Sequence, residues 1–167
     1  MLIYYKVLNL FASLSVAGEK KVPRRKVVPV EKVVEKLVTR ALIGDERAFR
    51  ALRMNLDGMT STEISHELGM PRGTVDSLIY GVRLSVFGDK ARQALEAAAE
   101  IKPIIVFNEN GEPVCGLCGK IIKNRLRGTW HEVAASHIRM KHWDVIEQHM
   151  KQLMQRLGLT QNTSEKT

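Results

Sequence analysis

The stretch DGMTSTEISHELGMPRGTVDSLIYGVR, residues 57–83, has the apolar spacing of two short helices joined by a tight turn. Ile64 and Leu68 share one face of the first helix. This helix is preceded by candidate N-cap residues and carries an acid in its first turn: Thr60, Ser61, Thr62 and Glu63. Gly69 ends it, because glycine adopts the left-handed backbone at low cost, and Pro71 begins the second helix. The pattern predicts a helix-turn-helix.

The second helix of this pair divides its residues between a buried stripe and an outward face. Val75, Leu78 and Ile79 recur at helical spacing and form the stripe. The residues left facing outward are Arg72, Thr74, Asp76, Ser77 and Tyr80. Side chains on the outward face of such a helix can reach base edges in the major groove of DNA. We expect Thr62 and Arg83 to contact phosphates beside it.

The same stretch resembles the C-terminal (region 4-like) domain of bacterial sigma factors and related response-regulator domains, over about residues 45–95. Their signature runs G-x-[ST]-x-x-E-I-A-x-x-L-G-x-P-x-G-T-V-x-S. The matching residues are Gly58, Thr60, Glu63, Ile64, Leu68, Gly69, Pro71, Gly73, Thr74, Val75 and Ser77. Ser65 replaces the usual alanine, and Asp76 takes a place often held by a basic residue. The resemblance implies a domain that reads double-stranded DNA and regulates transcription; an αα-hairpin that binds nothing is the alternative.

Asp76 is the departure from the signature that bears on function. A carboxylate repels phosphate, so at this position it predicts either a specific contact, such as one with a cytosine amino group, or weakened affinity.

The composition of the chain agrees with a polyanionic partner. Its 167 residues suffice for one or two small domains, and Lys plus Arg number 26 against 18 acids, a net charge of +8. Neutralising phosphates releases counterions, so such a charge favours nucleic acid, although a soluble basic protein would have it too. The sequence contains no Gly-rich phosphate loop, no Ser-His-Asp order and no carboxylate pair. We therefore expect neither an enzyme nor a small-molecule substrate.

Helices are predicted on both sides of the helix-turn-helix. Residues 30–43 have the apolar repeat of an amphipathic helix that stops at Gly44, and Asp45 caps the helix that follows. This next helix turns its apolar residues inward as a support for the motif: Ala48, Phe49, Leu52 and Leu56. After Arg83, an Ala-rich helix is expected to open at Gly88 and run to about residue 101. It is either a homodimer surface or a linker helix.

The first 29 residues are an apolar segment followed by a basic linker. Residues 2–17 are too short and too polar for a confident membrane span. Three alternatives remain for them: a signal peptide, a packed strand or helix, and an extension from an early start codon. Arg24 and Arg25 belong to a basic arm that either follows phosphates, enters the minor groove or serves as a solvated tether.

A second group of candidate functional residues follows Pro103. Residues 104–107 form a β-prone run, residues 108–111 a turn, and the returning strand leads into Cys115 and Cys118, spaced C-x-x-C and flanked by glycines. Such a knuckle suits zinc, with a redox pair or two buried thiols as alternatives. The candidate nitrogen ligands are His131, His137, His142 and His149.

Two pairs of histidines compete for this zinc. His131 with His137 gives C-x2-C-x12-H-x5-H, whereas His137 with His142 gives C-x2-C-x18-H-x4-H. Thr129 and Glu132 have the spacing of a capping box, which starts a helix near residue 130 and leaves His131 in its first turn. We therefore prefer His137 and His142. Residues 112–143 resemble a Cys2His2 zinc finger, although the usual Phe and Leu spacing is missing. The resemblance implies one structural Zn²⁺.

Together these patterns predict a mainly α protein with a helix-turn-helix domain, a small ββα-like zinc module and a C-terminal helix with Ile146 and Leu153 on its apolar face. The predicted boundaries are 1–29 for the N-terminal segment, 30–102 for the DNA-binding domain, 103–158 for the zinc module and 159–167 for a disordered tail. The expected function is sequence-specific DNA binding inside the cell, in the cytoplasm or at the nucleoid. A protein interaction or assembly module and an RNA-binding zinc protein are the alternatives.

Overall fold

A computed structural model of the chain describes residues 27–123 and 129–159, and this part is mainly helical with one two-stranded antiparallel sheet. The elements in chain order are α1 (Val30–Ile43), α2 (Glu46–Leu56), α3 (Ser61–Leu68), α4 (Arg72–Val82), a 3-10 helix (Leu84–Lys90), α5 (Ala91–Ala99), β1 (Ile105–Phe107), β2 (Pro113–Cys115), α6 (Trp130–Lys141) and α7 (Trp143–Arg156). In the described ranges, every helix is too short or too polar to traverse a lipid bilayer.

The ends of the first three helices follow from local chemistry that the sequence displays. Gly44 closes α1 with φ 80°, and the Asp45 carboxylate accepts a hydrogen bond from the Ala48 N–H at 3.1 Å to cap α2. Thr60 and Glu63 form a complete capping box at the start of α3. These helix ends are therefore as predicted.

Three predicted boundaries are wrong by one to three residues. Pro71 is the N-cap of α4 rather than its first residue, since its ψ of 135° is not helical. The helix expected from Gly88 begins instead at Ala91, because Gly88 has φ 57° and ψ −127° and breaks the helical backbone there. It ends at Ala99 rather than near residue 101.

Helix α1 is the centre of the described fold. It packs against α4 and α5, which precede residue 103, and against α6 and α7, which follow it. Val33, Val34 and Leu37 are fully buried, and they belong to one apolar cluster that also contains Ile138 and Ile146. The apolar core is therefore continuous across residue 103, where the sequence predicts a domain boundary.

The sheet is a short hairpin placed against the end of α1. Ile105 pairs with Cys115 and Phe107 with Pro113, and the Asn108 side chain closes the turn by accepting from the Asn110 and Glu112 N–H groups. The hairpin thus delivers Cys115 at the end of β2, as the sequence predicts.

Two ion pairs hold α5 to its neighbours. Arg53 of α2 donates two 2.8 Å hydrogen bonds to Glu96, and this contact holds the pKa of the Glu96 carboxyl below its ordinary value. Arg156 of α7 pairs in the same way with Glu100, whose pKa is lowered too. Residues 1–26, which include the arm with Arg24 and Arg25, and the tail after residue 159 lie outside the described residues.

Candidate functional site

Four potential metal ligands converge beside the hairpin. They are Cys115, Cys118, His137 and His142, whose ligand atoms all lie within 4.8 Å of one another. The Sγ of Cys115 lies 3.5 Å from Nε2 of His142, and the Sγ of Cys118 lies 3.3 Å from Nε2 of His137. Sulfur and nitrogen atoms bound tetrahedrally to one zinc ion would be about 3.5 Å apart. The spacing therefore fits four ligands around a shared ion.

The knuckle that carries the two thiols is fixed by its own backbone. The Gly119 N–H donates to the Cys115 carbonyl at 2.7 Å, and the Cys115 N–H donates to the Lys120 carbonyl at 2.9 Å. Gly119 has φ 72°, which a side chain would strain, and a Cβ on Gly116 would lie 3.0 Å from the Ile104 carbonyl oxygen. The flanking glycines are therefore needed to bring Cys115 and Cys118 to one point.

The nitrogen ligands come from α6 and from the junction that follows it. His137 lies on the buried face of α6, and His142 is the residue between α6 and α7. Burial lowers the pKa of His137, and the positive charges of Lys120 and Lys141 and the nearby His142 lower it further. A neutral imidazole is the form that binds metal ions. Its environment therefore prepares His137 as a ligand at neutral pH.

One ring nitrogen of the buried His137 imidazole lacks a hydrogen-bond partner among the described residues. This atom is Nδ1, and burying a polar side chain without full pairing costs free energy. Coordination through Nε2 would leave Nδ1 protonated and still unpaired, so the free energy of metal binding would have to exceed this cost. Chemically, two thiolates with two imidazoles make a closed tetrahedral donor set, which leaves no open position for a substrate.

The geometry decides between the two histidine pairs. His131 stacks on Trp130 with ring centroids 3.9 Å apart, and the structure brings the preferred pair, His137 and His142, rather than His131 to the two cysteines. The predicted capping box is wrong in one respect: α6 does begin at Trp130, but the Thr129 hydroxyl makes no capping bond. The Glu132 N–H donates to the Thr129 carbonyl instead.

The second set of candidate residues lies on α4. Arg72, Thr74, Ser77 and Tyr80 are exposed, with Tyr80 71% accessible, whereas Val75 and Leu78 on the opposite face are buried. Ile79, predicted in the buried stripe, is half-buried. Thr62 in the first turn of α3 and Arg83 after α4 are exposed as well. The outward face predicted for this helix is therefore accessible.

Asp76 is not isolated on this face. It is half-buried, and its Oδ2 lies 3.7 Å from Nε of Arg72, one helical turn earlier. The sequence reasoning considered Asp76 only as a reader of bases or as a repulsive charge. An acid and a base four residues apart on a helix are a recognisable pairing signal, and here the Arg72 side chain is 69% exposed and that of Asp76 36%.

The turn between α3 and α4 is stabilised by side chains that sequence reasoning missed. The Ser65 hydroxyl donates to the Met70 carbonyl at 2.6 Å, and Arg47 of α2 donates to the Leu68 carbonyl at 3.0 Å. At the other end of α4, Lys36 of α1 donates to the Gly81 carbonyl at 2.5 Å. Unpaired carbonyls at helix ends are satisfied in this way. No sequence signal exists for Arg47 and Lys36, because their partners are 21 and 45 residues away.

Comparison of the chain with protein-family models, with curated proteins and with solved structures finds no match.

Proposed function

We propose that the protein is a sequence-specific DNA-binding regulator of transcription whose helix α4 enters the major groove. The observation that carries the proposal is the division of α4 into a buried stripe and an accessible face with Arg72, Thr74 and Tyr80. An α-helix with its side chains is about 10–12 Å across, and the major groove of B-DNA is about 12 Å wide. The left-handed turn at Gly69, between α3 and α4, supports the role of α4 as a recognition helix.

Individual residues take distinct roles in this proposal. Arg72 offers a bidentate donor to a guanine edge, and Thr74 offers a methyl group and a hydroxyl to neighbouring bases. Thr62 and Arg83 flank the face and hold phosphates. Arg24 and Arg25 extend the contact to the backbone or the minor groove, and the net charge of +8 adds affinity that falls with salt. A DNA target implies an intracellular protein, in the cytoplasm or at the nucleoid.

The four-ligand group is proposed to hold one structural Zn²⁺. Among common metal ions, zinc is the one that a tetrahedral set of two thiolates and two imidazoles favours. Each strand of the hairpin is three residues long, and an isolated two-stranded hairpin is at best marginally stable. Metal binding would join the hairpin to α6 and add to the stability that their packing on α1 provides. No catalytic role is proposed.

The test is selection of bound sequences from a random duplex pool, with zinc content measured on the same preparation. Enrichment of a common sequence by the wild-type chain, reduced in Arg72→Ala, is the expected result. Loss of one good bidentate contact relaxes discrimination at that base pair by about 1–3 kcal/mol. Arg50→Ala, an exposed change on α2, is the matched control and should preserve the enriched sequence. Absence of enrichment by the zinc-loaded protein would overturn the proposal.

A second candidate function, a protein interaction module, is favoured by apolar side chains around the metal ligands. Large hydrophobic residues exposed in this region are Val106, Phe107, Leu117, Ile121, Met140 and Trp143. Such a surface suits a protein partner or a second copy of this chain. This function predicts negligible binding to random duplex DNA even at low salt, and sedimentation over a range of concentrations would reveal a homodimer.

A further inference from the structure

The metal-ligand knuckle is connected to α1 by two consecutive hydrogen bonds. The Gly116 N–H, between the two cysteines, donates to the Ile104 carbonyl at 2.7 Å. The N–H of the same Ile104 donates to the Leu42 carbonyl near the end of α1 at 2.8 Å. Ile104 alone therefore joins the knuckle to the end of α1 through these two hydrogen bonds.

Helix α6 makes a second connection to α1. Arg139 lies two residues after His137, and its Nε is 3.2 Å from the Glu35 carboxylate on α1. The Glu35 side chain is 16% exposed and that of Arg139 is 42% exposed, so the pair is partly shielded from water. Both halves of the four-ligand group, the thiols and the imidazoles, are thus linked to α1.

The residue after Glu35 connects α1 to α4. Lys36 donates to the Gly81 carbonyl, which is one of the last carbonyls of α4 and has no partner within that helix. Arg83 satisfies the two carbonyls that precede Gly81. Its N–H donates to the Ile79 carbonyl, and its guanidinium donates to the Tyr80 carbonyl. The positively charged Lys36 also interacts favourably with the negative end of the helix dipole. It therefore fixes the last turn of α4, next to Tyr80.

The ligand group is reachable from solvent. Cys118 is exposed and His142 is half-buried, whereas Cys115 and His137 are buried. A zinc ion or a soluble chelator can therefore approach the site without unfolding the chain.

We propose that zinc is a regulatory ligand of this protein, and that its occupancy sets the DNA affinity of α4 through α1. This inference rests on the proposed DNA-binding function. Zinc fixes the knuckle and α6, these hold α1 at Leu42 and Glu35, and α1 holds the last turn of α4 through Lys36. Couplings between two sites typically change affinity by about 5- to 150-fold, and they are reciprocal. Bound DNA therefore raises the affinity for zinc by the same factor.

The first test needs no DNA. Amide hydrogen exchange is measured on the full chain, zinc-loaded and after EDTA treatment. We expect exchange at residues 79–82 of α4 to accelerate on zinc removal while α2, which packs on α3, α4 and α5, keeps its protection. Unchanged exchange in α4, or equal loss of protection throughout α1 to α5, overturns the proposed connection.

The second test removes the connection and leaves the ligands in place. Lys36→Met keeps the length of the side chain without its donor. With zinc bound, we expect its DNA affinity to fall to that of the zinc-free wild type and to change no further with EDTA, while zinc content is unchanged. Lys151→Met, an exposed change on α7, is the control and should retain the full response to zinc. An unaltered zinc response in Lys36→Met overturns the proposal.

The outcomes separate this inference from the function on which it rests. Wild-type protein that binds its DNA equally with and without zinc contradicts regulation and leaves DNA binding intact. Protein that binds no duplex at any zinc concentration contradicts the DNA-binding function, and the exchange measurement still decides whether the metal site acts on α4.

Discussion

Asp76 and Arg72 form an ion pair on the accessible face of α4, with Oδ2 of the aspartate 3.7 Å from Nε of the arginine. A pair four residues apart on an exposed helix contributes only about 0.2–0.5 kcal/mol to stability. If α4 binds DNA as proposed, the pair would have a larger consequence for binding, because it would direct the guanidinium and keep one negative charge where phosphates approach.

We predict that Asp76→Asn increases affinity for random duplex DNA and decreases the ratio of specific to non-specific affinity. The change removes a charge that repels phosphate and releases Arg72 from its partner. Affinities for the selected and a scrambled duplex, measured at two salt concentrations, test this. Asp89→Asn removes the same charge from the exposed 3-10 segment after α4, and it should leave the ratio unchanged. Equal effects of both changes would show that only net charge matters.

The metal site yields a prediction about individual ligands. Cys118→Ser and His142→Asn should each lower zinc retained against a chelator and lower the melting temperature, because each removes one of the four proposed ligands. His131→Asn and His149→Asn are the matched controls and should retain the wild-type zinc content, since neither belongs to the group. Zinc loss in His131→Asn equal to that in His142→Asn contradicts the assignment.

Two glycines close in sequence should respond oppositely to alanine. Gly69 has φ 59°, and nothing lies within 4 Å of an added Cβ, so Gly69→Ala should cost about 1 kcal/mol for backbone strain alone. Gly73 lies in α4 without a positive φ and is equally open, so Gly73→Ala should raise stability by up to about 1 kcal/mol. Urea unfolding of both variants tests the pair. Destabilisation by Gly73→Ala would contradict the position of α4.

The bond between Arg53 and Glu96 predicts a pH dependence of stability. The pKa of Glu96 is lowered from 4.5, first by its hydrogen bond with Arg53. A carboxyl whose pKa is lower in the folded state stabilises the fold above its unfolded pKa, and this contribution is lost as pH falls through the folded pKa. Glu96→Gln should therefore flatten the decline of melting temperature below about pH 4.5, where the unfolded carboxyl begins to protonate. Arg53→Gln should flatten it equally, and an unchanged slope in both variants contradicts this role.

Local chemistry explains what the sequence could predict of the fold. Gly44, Asp45 and Thr60 determine helix ends through backbone conformation and capping bonds with residues a few positions away. The choice of His142 over His131 depended on the position of each along one helix, which the apolar pattern and the start of α6 define. Interactions between residues a few positions apart can therefore be predicted from the sequence.

Long-range contacts were beyond that reasoning. Lys36 and Gly81, or Arg53 and Glu96, meet only because helices far apart in sequence pack together, and no periodicity within either helix identifies its partner. The same applies to α1: its apolar stripe predicts burial, but not that α4, α5, α6 and α7 all contribute to that burial. The DNA-contacting role of Thr62, Thr74, Ser77 and Arg83 stays a prediction.

The position of α1 has a consequence for synthesis on the ribosome. Helix α1 is translated well before α7, yet each covers apolar surface of the other. Until α7 leaves the exit tunnel, the nascent chain exposes part of the surface around Val33 and Leu37 to chaperones and proteases. Pairing across more than a hundred residues also slows folding, because the intervening chain must first be ordered. A product that stops before α7 would therefore leave part of the apolar surface of α1 uncovered.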